Sequence, residues 1–516
     1  MGSMIPVEPA AFASVGSLPM SQMSHTRAAN MEREPAIDPV ICWQAIRSRD
    51  PRFDGRFFVG AVSTRIYCRN TCPIPFARPS NIVLFACAGA AELAGYRPCK
   101  RCQAQAAPGT PAWLGTSAVV NRAFRLILEG ALNEGGVEEL AGRLGLGSRQ
   151  LRRLFVQHLG APPLKIATTH RVHLARKLID ESKLAMTQIA FCSGFKSIRE
   201  FNHAVRLSTG QSPGELRRAA SAAESPTRSS GLELRLPYRR PFDWESLLAF
   251  LKRRAIPGVE RVTQQCYQRT IETAGVPGLL TVRQDREGSR LVVELETSSY
   301  EGLALTVERI RRIFDLGADP VGIARHLSQD PRLRPLLNLR PGLRVPGVWD
   351  GFEAAVLAVL GQRLTTPGPR RTIARLVEMF GRPIGTPVHG LRYLFPRPEK
   401  LAHAGLADLA QVGIGEACAD TLRKLARSTL RRHLGSATSQ SLEQAVSPLM
   451  LTGGIDESTA NYIAMRAFGE PDAFPSAESK LRFKLAGTAH TTSAEAIEIA
   501  EPWRPWRAYA AMHLAQ

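Results

Sequence analysis

No run of this 516-residue chain approaches the ~18 consecutive apolar residues that a bilayer-spanning helix needs, and no basic amphipathic anchor stands out. That excludes a membrane as partner. The first 35 residues also lack the continuous apolar core of a secretory signal, so residues 1–35 are expected to form a disordered N-terminal segment and the protein to be cytoplasmic. Cysteine is scarce: nine in all, an odd number clustered in one region. This usage fits a reducing compartment and metal ligation better than a disulfide framework. Negative charge is in deficit, with 46 Asp+Glu against 67 Lys+Arg, a formal charge of +21 and a pI near 10.2. A field of that sign concentrates polyanions, nucleic acid foremost. The length is too great for one core and implies roughly three to four domains.

The informative cysteines are Cys68 and Cys72, spaced C-x3-C, answered twenty-seven residues later by Cys99 and Cys102, spaced C-x2-C. Two close pairs joined by a span long enough to fold back can bring four thiolates onto one tetrahedral Zn2+. Arg65, Arg69, Arg78, Arg97, Lys100 and Arg101 crowd the pairs. Around them, Cys42 to Ile46 predicts a short amphipathic helix, Asp54-Gly55 a turn, Arg56 to Val62 a strand, and Ala90 to Gly95 a helical turn stopped by its glycine. Metal holds such a small core together. Cys42 and Cys87 read as small buried residues. The plain alternative is a zinc knot that only folds its domain.

Cys42-Trp43-Gln44-Ala45, Arg52-Phe53-Asp54-Gly55-Arg56-Phe57, Tyr67-Cys68-Arg69, Cys72-Pro73 and Gly95-Tyr96-Arg97-Pro98-Cys99-Lys100-Arg101-Cys102 together resemble the N-terminal domain of the Ada adaptive-response family. The resemblance implies that the four cysteines bind one zinc ion and that Cys68 accepts a methyl group from a methyl phosphotriester in DNA. It also places Arg69, Lys100 and Arg101 toward DNA. Four thiolates around a dication leave two net negative charges, and methylation of one sulfur removes one of them. Losing negative charge at a DNA-facing surface strengthens binding without a new contact.

From residue 116 the apolar period becomes helical. Val137, Leu140, Ala141 and Leu144 form a stripe, Gly145-Leu146-Gly147 breaks it, and Ser148 can cap a helix with Leu151, Leu154 and Phe155 inside and Arg149, Gln150, Arg152 and Arg153 outside. The arrangement recurs: Ile189-Ala190 leads to Gly194-Phe195, and Ser197-Ile198-Arg199-Glu200 is a capping box opening a helix that carries Arg199 and Arg206 outward. Sixteen Lys/Arg against eight Asp/Glu lie between residues 117 and 220. Two helix-turn-helix units in tandem resemble the AraC-type DNA-binding domain, with Thr209-Gly210-Gln211-Ser212-Pro213 as its closing motif. The resemblance implies that Ser148 to Gln157 and Ser197 to Arg206 read promoter DNA, with RNA polymerase as a further partner when the sensor is methylated.

After an Ala/Ser-rich linker, 219–230, strand-like alternation over Leu232 to Tyr238, a helix over Trp244 to Arg253 and strands over Gly278 to Val282 and Arg290 to Glu296 predict an α+β lobe; helices dominate from Leu303. Val345 to Glu353, Gly454-Ile455, Thr459-Ala460-Asn461-Tyr462, Pro471-Asp472-Ala473-Phe474-Pro475 and Trp503-Arg504-Pro505-Trp506-Arg507 resemble the AlkA-type 3-methyladenine DNA glycosylases of the helix-hairpin-helix class. That resemblance implies a hairpin offering Gly454 and Ile455 backbone to a phosphate. It implies a base pocket of Tyr462, Trp503 and Trp506, and a wedge at Arg363 or Leu364. The catalytic aspartate of the family falls on Glu478, the second hairpin glycine on Asp456, and a pocket tryptophan on Ser458. A carboxylate at 478 stabilises the charge that develops on the sugar as the base leaves.

The expected fold class is multidomain α+β: a small zinc-bound α/β module (36–106), an all-α tandem helix-turn-helix module (116–218), an α+β lobe (231–302) and an all-α helix-hairpin-helix glycosylase domain (303–516). The expected function joins zinc-thiolate methyl transfer to Cys68, transcriptional regulation, and excision of alkylated purines from double-stranded DNA in the nucleoid. The alternative is a sensor-only regulator whose glycosylase-like half binds DNA without cutting it. No Pro-Cys-His-Arg motif occurs, so O6-methylguanine transfer is not expected.

Overall fold

A computed structural model describes residues 38–50, 53–74, 79–99, 101–102, 104, 118–221, 231–363, 368–432, 442–486 and 492–515. The expected N-terminal segment 1–35, most of the expected linker 219–230, Arg78, Lys100 and Leu364 lie outside them.

In the first module, α1 (Pro39–Arg47) starts at Pro39, where the missing N–H costs nothing, and is capped by Asp38. Strands β1 (Phe58–Ala61), β2 (Ile66–Arg69) and β3 (Ile82–Phe85), helix α2 (Ala88–Leu93) and the two-residue β4 (Arg97–Pro98) follow. The sheet order is β3-β1-β2-β4, with β2 and β4 parallel. Phe58, Tyr67, Phe85 and Tyr96 fill one face; Cys42, Phe53, Phe57 and Val59 fill the other. Gly60 is required here, because a Cβ would lie 2.6 Å from Phe85 and 2.7 Å from Tyr96. Cys87 caps α2 through its sulfur and is buried, which pushes its thiol up to about 11; neither it nor Cys42 belongs to the cluster formed by the other N-terminal cysteines.

The second module is all helix: α3 (Ala118–Leu128), α4 (Val137–Arg143), α5 (Ser148–Leu159), α6 (Pro163–Glu181), α7 (Met186–Cys192), α8 (Ile198–Thr209) and α9 (Pro213–Ser221). The α4–α5 and α7–α8 pairs are the two helix-turn-helix units, and α6 runs between them. Ser197 caps α8 by accepting from the Glu200 N–H at 3.1 Å, as its sequence predicts. Ser148 does not cap α5. Gly147 holds the cap position and Ser148 is already inside the helix.

The third part opens with β5 (Leu232–Pro237) and α10 (Trp244–Arg254). Strands β6 (Glu260–Val262), β7 (Cys266–Thr273), β8 (Val276–Asp285) and β9 (Arg290–Thr297) complete an antiparallel sheet of order β5-β9-β8-β7-β6. Leu232, Leu234 and Leu236 alternate inward on β5. They share one core with Leu178, Ile189, Phe201 and Val205 of the regulator, so the two modules are fused by apolar packing. Helices then dominate: α11 (Leu303–Ile313) packs into that same shared core, and α12 (Gly351–Arg363), α13 (Leu442–Met450), α14 (Glu457–Ala467), α15 (Ser479–Ala486) and α16 (Arg507–Leu514) are among those around a separate core. A two-stranded ribbon, Arg382–Pro383 with Tyr393–Leu394, interrupts them. Among the described residues, no helix is long and apolar enough to cross a membrane.

Candidate functional site

Parallel pairing of β2 with β4 assembles the cysteine cluster. Tyr67 faces Pro98 across the ladder and its carbonyl accepts the Cys99 N–H at 2.9 Å, which sets Cys68 and Cys99 side by side at the strand ends. Cys72 follows in a turn closed by its own N–H on the Arg69 carbonyl, 3.1 Å. The four sulfurs of Cys68, Cys72, Cys99 and Cys102 lie within 4.8 Å of one another. A tetrahedral Zn2+ with bonds of about 2.3 Å needs sulfurs about 3.8 Å apart, so the donor set fits. The electrostatics ask for a cation as well. A hydrogen bond with Cys102, burial and the neighbouring sulfurs drive the Cys68 thiol far up, and burial first of all raises Cys72 to about 11. Four ionised thiols share this space only around a dication, and one zinc held by these four cysteines is the cofactor.

Cys68 keeps 8% of its surface, against 0% for Cys72 and 4% for Cys99, and Cys102 is half-buried. Arg69 differs from the expectation. Its guanidinium is paired with Asp54, with one bond of 2.8 Å, and reaches the Cys102 carbonyl at 3.5 Å, so it braces the cluster instead of projecting toward a phosphate. Asp54 in turn gives its carbonyl to Arg239 of the third part, 3.0 Å. Arg101 is exposed.

Arg149, Gln150, Arg152 and Arg153 on α5 and Arg199 and Arg206 on α8 are all exposed. Of the six, Arg152 also makes a surface ion pair, to Glu138 at 3.1 Å. The sensor is locked to α6 through Glu92, which is buried at the end of α2. Its carboxylate accepts from Tyr67, next to Cys68, at 3.1 Å, from Thr169 at 2.9 Å and from Lys165 at 3.2 Å, and lies 3.4 Å from His173. Burial alone would raise Glu92, but His173, Lys165 and Thr169 outweigh it and hold it at about 2.

In the C-terminal half, a cavity of about 520 Å3 opens between the end of α10, helix α12, the first turns of α14 and the segment 475–478. Tyr462 and Glu478 both line it, as the sequence predicts. Trp503 and Trp506 do not. Trp503 is 1% exposed, donates from Nε1 to Asp330 at 2.7 Å and packs on Phe474; Trp506 starts α16 and packs edge-on against Tyr509. Trp503 is a core aromatic, and Trp506 is half-buried against the same core. At the hairpin, Gly453 and Gly454 both adopt positive φ, near +80°, which reverses the chain between α13 and α14. Ile455 is buried, so only its backbone is available for a phosphate contact. Asp456 takes φ −81°, an ordinary value for a side-chain-bearing residue, and caps α14 by accepting the Thr459 N–H at 2.7 Å. Ser458 also acquires a role, because its hydroxyl accepts the Ala477 N–H at 3.0 Å and tethers the residue before Glu478. Arg363 ends α12.

Arg466 and Glu353 also line the cavity; both fall among the residues that carry the glycosylase resemblance, but the sequence assigns neither a role. Arg466, one turn beyond Tyr462, donates to its hydroxyl at 2.9 Å. Burial would raise the Tyr462 phenol, yet Arg466 and Arg254 bring it below its ordinary value. Glu353 is held by Arg269 at 2.9 Å, with Glu260 on the same guanidinium at 3.3 Å; burial lifts Glu353 to about 7 against the pull of that arginine. The i, i+4 spacing of Tyr462 and Arg466 is the sequence signal for their contact.

Comparison with known proteins agrees with this layout. Residues 41–105 match the metal binding domain of Ada, residues 140–219 a helix-turn-helix domain and residues 233–350 the AlkA N-terminal domain. A Mycobacterium tuberculosis protein named a probable bifunctional transcriptional activator/DNA repair enzyme AlkA is 38% identical over 478 residues, 92% of this chain and 95% of that protein. The Escherichia coli DNA-3-methyladenine glycosylase 2 is 30% identical over 54% of this chain and 95% of its own length. The Bacillus subtilis bifunctional transcriptional activator/DNA repair enzyme AdaA is 27% identical over 39% of this chain and 92% of its own. With a zinc-thiolate module, a tandem helix-turn-helix and a glycosylase-like half in one polypeptide, the chain belongs to the family of AlkA-type bifunctional transcriptional activator/DNA repair proteins.

Proposed function

We propose that the chain senses and repairs alkylated DNA through two chemistries and reports the damage as transcription. At the cysteine cluster, the Cys68 sulfur attacks the methyl carbon of a methyl phosphotriester. The S–C bond forms as the C–O bond breaks, and the oxygen keeps the electron pair as an ordinary phosphodiester. Zinc supplies a thiolate at neutral pH where the hydrogen bond with Cys102 and burial would otherwise leave a thiol. Transfer occurs once per chain, and it removes one negative charge from the DNA-facing cluster. Arg149, Gln150, Arg152 and Arg153 on α5 and Arg199 and Arg206 on α8 then engage promoter DNA more tightly, in the nucleoid and with RNA polymerase as partner. The observation that carries this reading is the convergence of four cysteine sulfurs within 4.8 Å, with Cys68 brought beside Cys99 by the parallel pairing of β2 and β4.

In the C-terminal half an alkylated purine is flipped into the cavity against Tyr462, Arg363 or Leu364 fills the gap it leaves, and Glu478 stabilises the positive charge on the sugar as the glycosidic bond breaks. The test compares promoter affinity and free 3-methyladenine release before and after exposure to methylated DNA. Cys68→Ser should abolish the gain in affinity and leave base release intact; Glu478→Gln should do the reverse. A second reading, a sensor-only regulator, draws on Asp456, whose carboxylate already occupies the Thr459 N–H at the phosphate-facing helix start. Background release from wild type and Glu478→Gln alike would select it.

A further inference from the structure

The segment that carries Glu478 leaves the end of α14 and runs from Phe468 to Glu478. Two of its three supports belong to the glycosylase half. Asn461 and Ser458 of α14 accept the N–H groups of Phe474 at 3.3 Å and Ala477 at 3.0 Å. From α16, Arg507 holds Asp472 at 2.8 Å and the Ala508 N–H reaches the Pro471 carbonyl at 2.8 Å. The third support comes from the regulator, some 345 residues earlier in the chain. Arg122 of α3 pairs with Glu470 at 2.6 Å, with both side chains about 5% exposed. Arg125, one turn on, also reaches Glu470 at 3.0 Å and donates to the carbonyls of Phe468 and Gly469, the latter at 3.3 Å. Glu129, another turn on, pairs with Arg312 of α11, whose guanidinium donates to the Ala467 carbonyl at 3.3 Å.

These contacts form a set. The last carbonyls of a helix have no partners within it, and cations there also oppose the negative end of its dipole. Arg125 and Arg312 satisfy that terminus on α14, the helix that presents Tyr462 to the cavity. Gly469, at φ +61°, then turns the chain so that Glu470 points back into the two arginines; a Cβ at this glycine would sit 3.3 Å from Arg125 Nη1. Burial alone would raise Glu470, but Arg125 and Arg122 keep it below the ordinary carboxylate range, so the pair is ionic at neutral pH. A buried pair of this kind is costly to break from one side. Its geometry fixes where the 470–478 segment begins.

We infer that Arg122 and Arg125 of the regulator's first helix are positioning residues for base excision, fixing the Glu478 segment through Glu470 and the end of α14. The inference rests on the excision reading above for its catalytic consequence, and on geometry alone for the clamp. The regulator is thereby part of the glycosylase, and the two halves are not independent enzymes on one string.

The test uses the full chain with Arg122→Ala/Arg125→Ala, the conservative Arg122→Lys/Arg125→Lys and the isosteric Glu470→Gln. Single-turnover release of 3-methyladenine from alkylated duplex DNA is measured beside DNA affinity, methyl transfer to Cys68, and amide exchange across 470–478. A displacement on the order of 1 Å costs ~100-fold in rate, so the alanine variant should release base ~10–100-fold more slowly, with DNA affinity and methyl transfer within twofold of wild type. Lysines should restore part of the rate, Glu470→Gln should slow it, and amides 470–478 should exchange faster. Excision within twofold of wild type, with unchanged exchange, overturns the inference. Should the wild type release no base, the excision reading falls by itself. Exchange then decides the clamp: faster in the alanine variant upholds it, unchanged overturns it.

Discussion

Glu92→Gln is the sharpest probe of how the sensor is joined to the regulator. The carboxylate is buried, serves Tyr67, Thr169, Lys165 and His173 together, and has its pKa depressed from 4.5 to about 2. A depressed folded-state value means that the ionised carboxylate favours folding above the unfolded pKa, and that this contribution disappears as pH falls through the folded one. The depression is worth about 3 kcal/mol at pH 6, falling to about 1 kcal/mol at pH 3. Glutamine keeps the shape and none of that gain. Paired urea titrations of wild type and variant, at pH 6 and pH 3, read the difference, and loss of zinc at low pH enters both proteins equally. The variant should be destabilised by about 3 kcal/mol at pH 6 and by about a third of that at pH 3. A difference near zero at pH 6, or one that does not shrink at pH 3, would refute the assignment of Glu92 as the ionic hub.

Three further outcomes follow from single positions. Gly60→Ala forces a methyl against Phe85 and Tyr96 and should destabilise the sensor by about 1–3 kcal/mol, read from its urea midpoint and from weakened zinc retention. Arg269→Met leaves Glu260 and Glu353 facing each other without their shared cation; a loss of about 3–5 kcal/mol, visible as a melting point lowered by roughly 10 °C, is expected. Ser458→Ala removes the acceptor for the Ala477 N–H, about 1 kcal/mol, and should slow base release several-fold while DNA affinity stays constant.

The zinc ligands were legible because a metal knot writes itself in local spacing: two short Cys loops and one parallel strand pair suffice to bring the sulfurs together. The helix-turn-helix units were legible for a similar reason, since apolar period and the Ser197 cap are local. The cavity was only half legible. Tyr462 and Glu478 fall where the family motif puts them, but Trp503 sits in the same motif and points into the core, because motif identity does not encode which face of a short helix is buried. Asp456 and Ser458 stand where the family motif has a hairpin glycine and a pocket tryptophan, and in the fold they are a helix cap and a loop tether. Arg69, conspicuous among basic residues at the metal site, is spent on Asp54. The contacts between modules left no trace in the sequence: Arg122 and Glu470 are 348 residues apart, and nothing local to either predicts the pair.

The central claim is that Cys68, alone among four metal-bound cysteines, takes the methyl group. Peptide mass measurement after incubating the zinc-loaded chain with DNA bearing methyl phosphotriesters tests it most directly. A single added methyl on the peptide containing Cys68, lost in Cys68→Ser and localised by fragmentation away from Cys72, is the predicted result. A methyl found on the more exposed Cys102, or no methyl on any of the four with zinc bound, would contradict it.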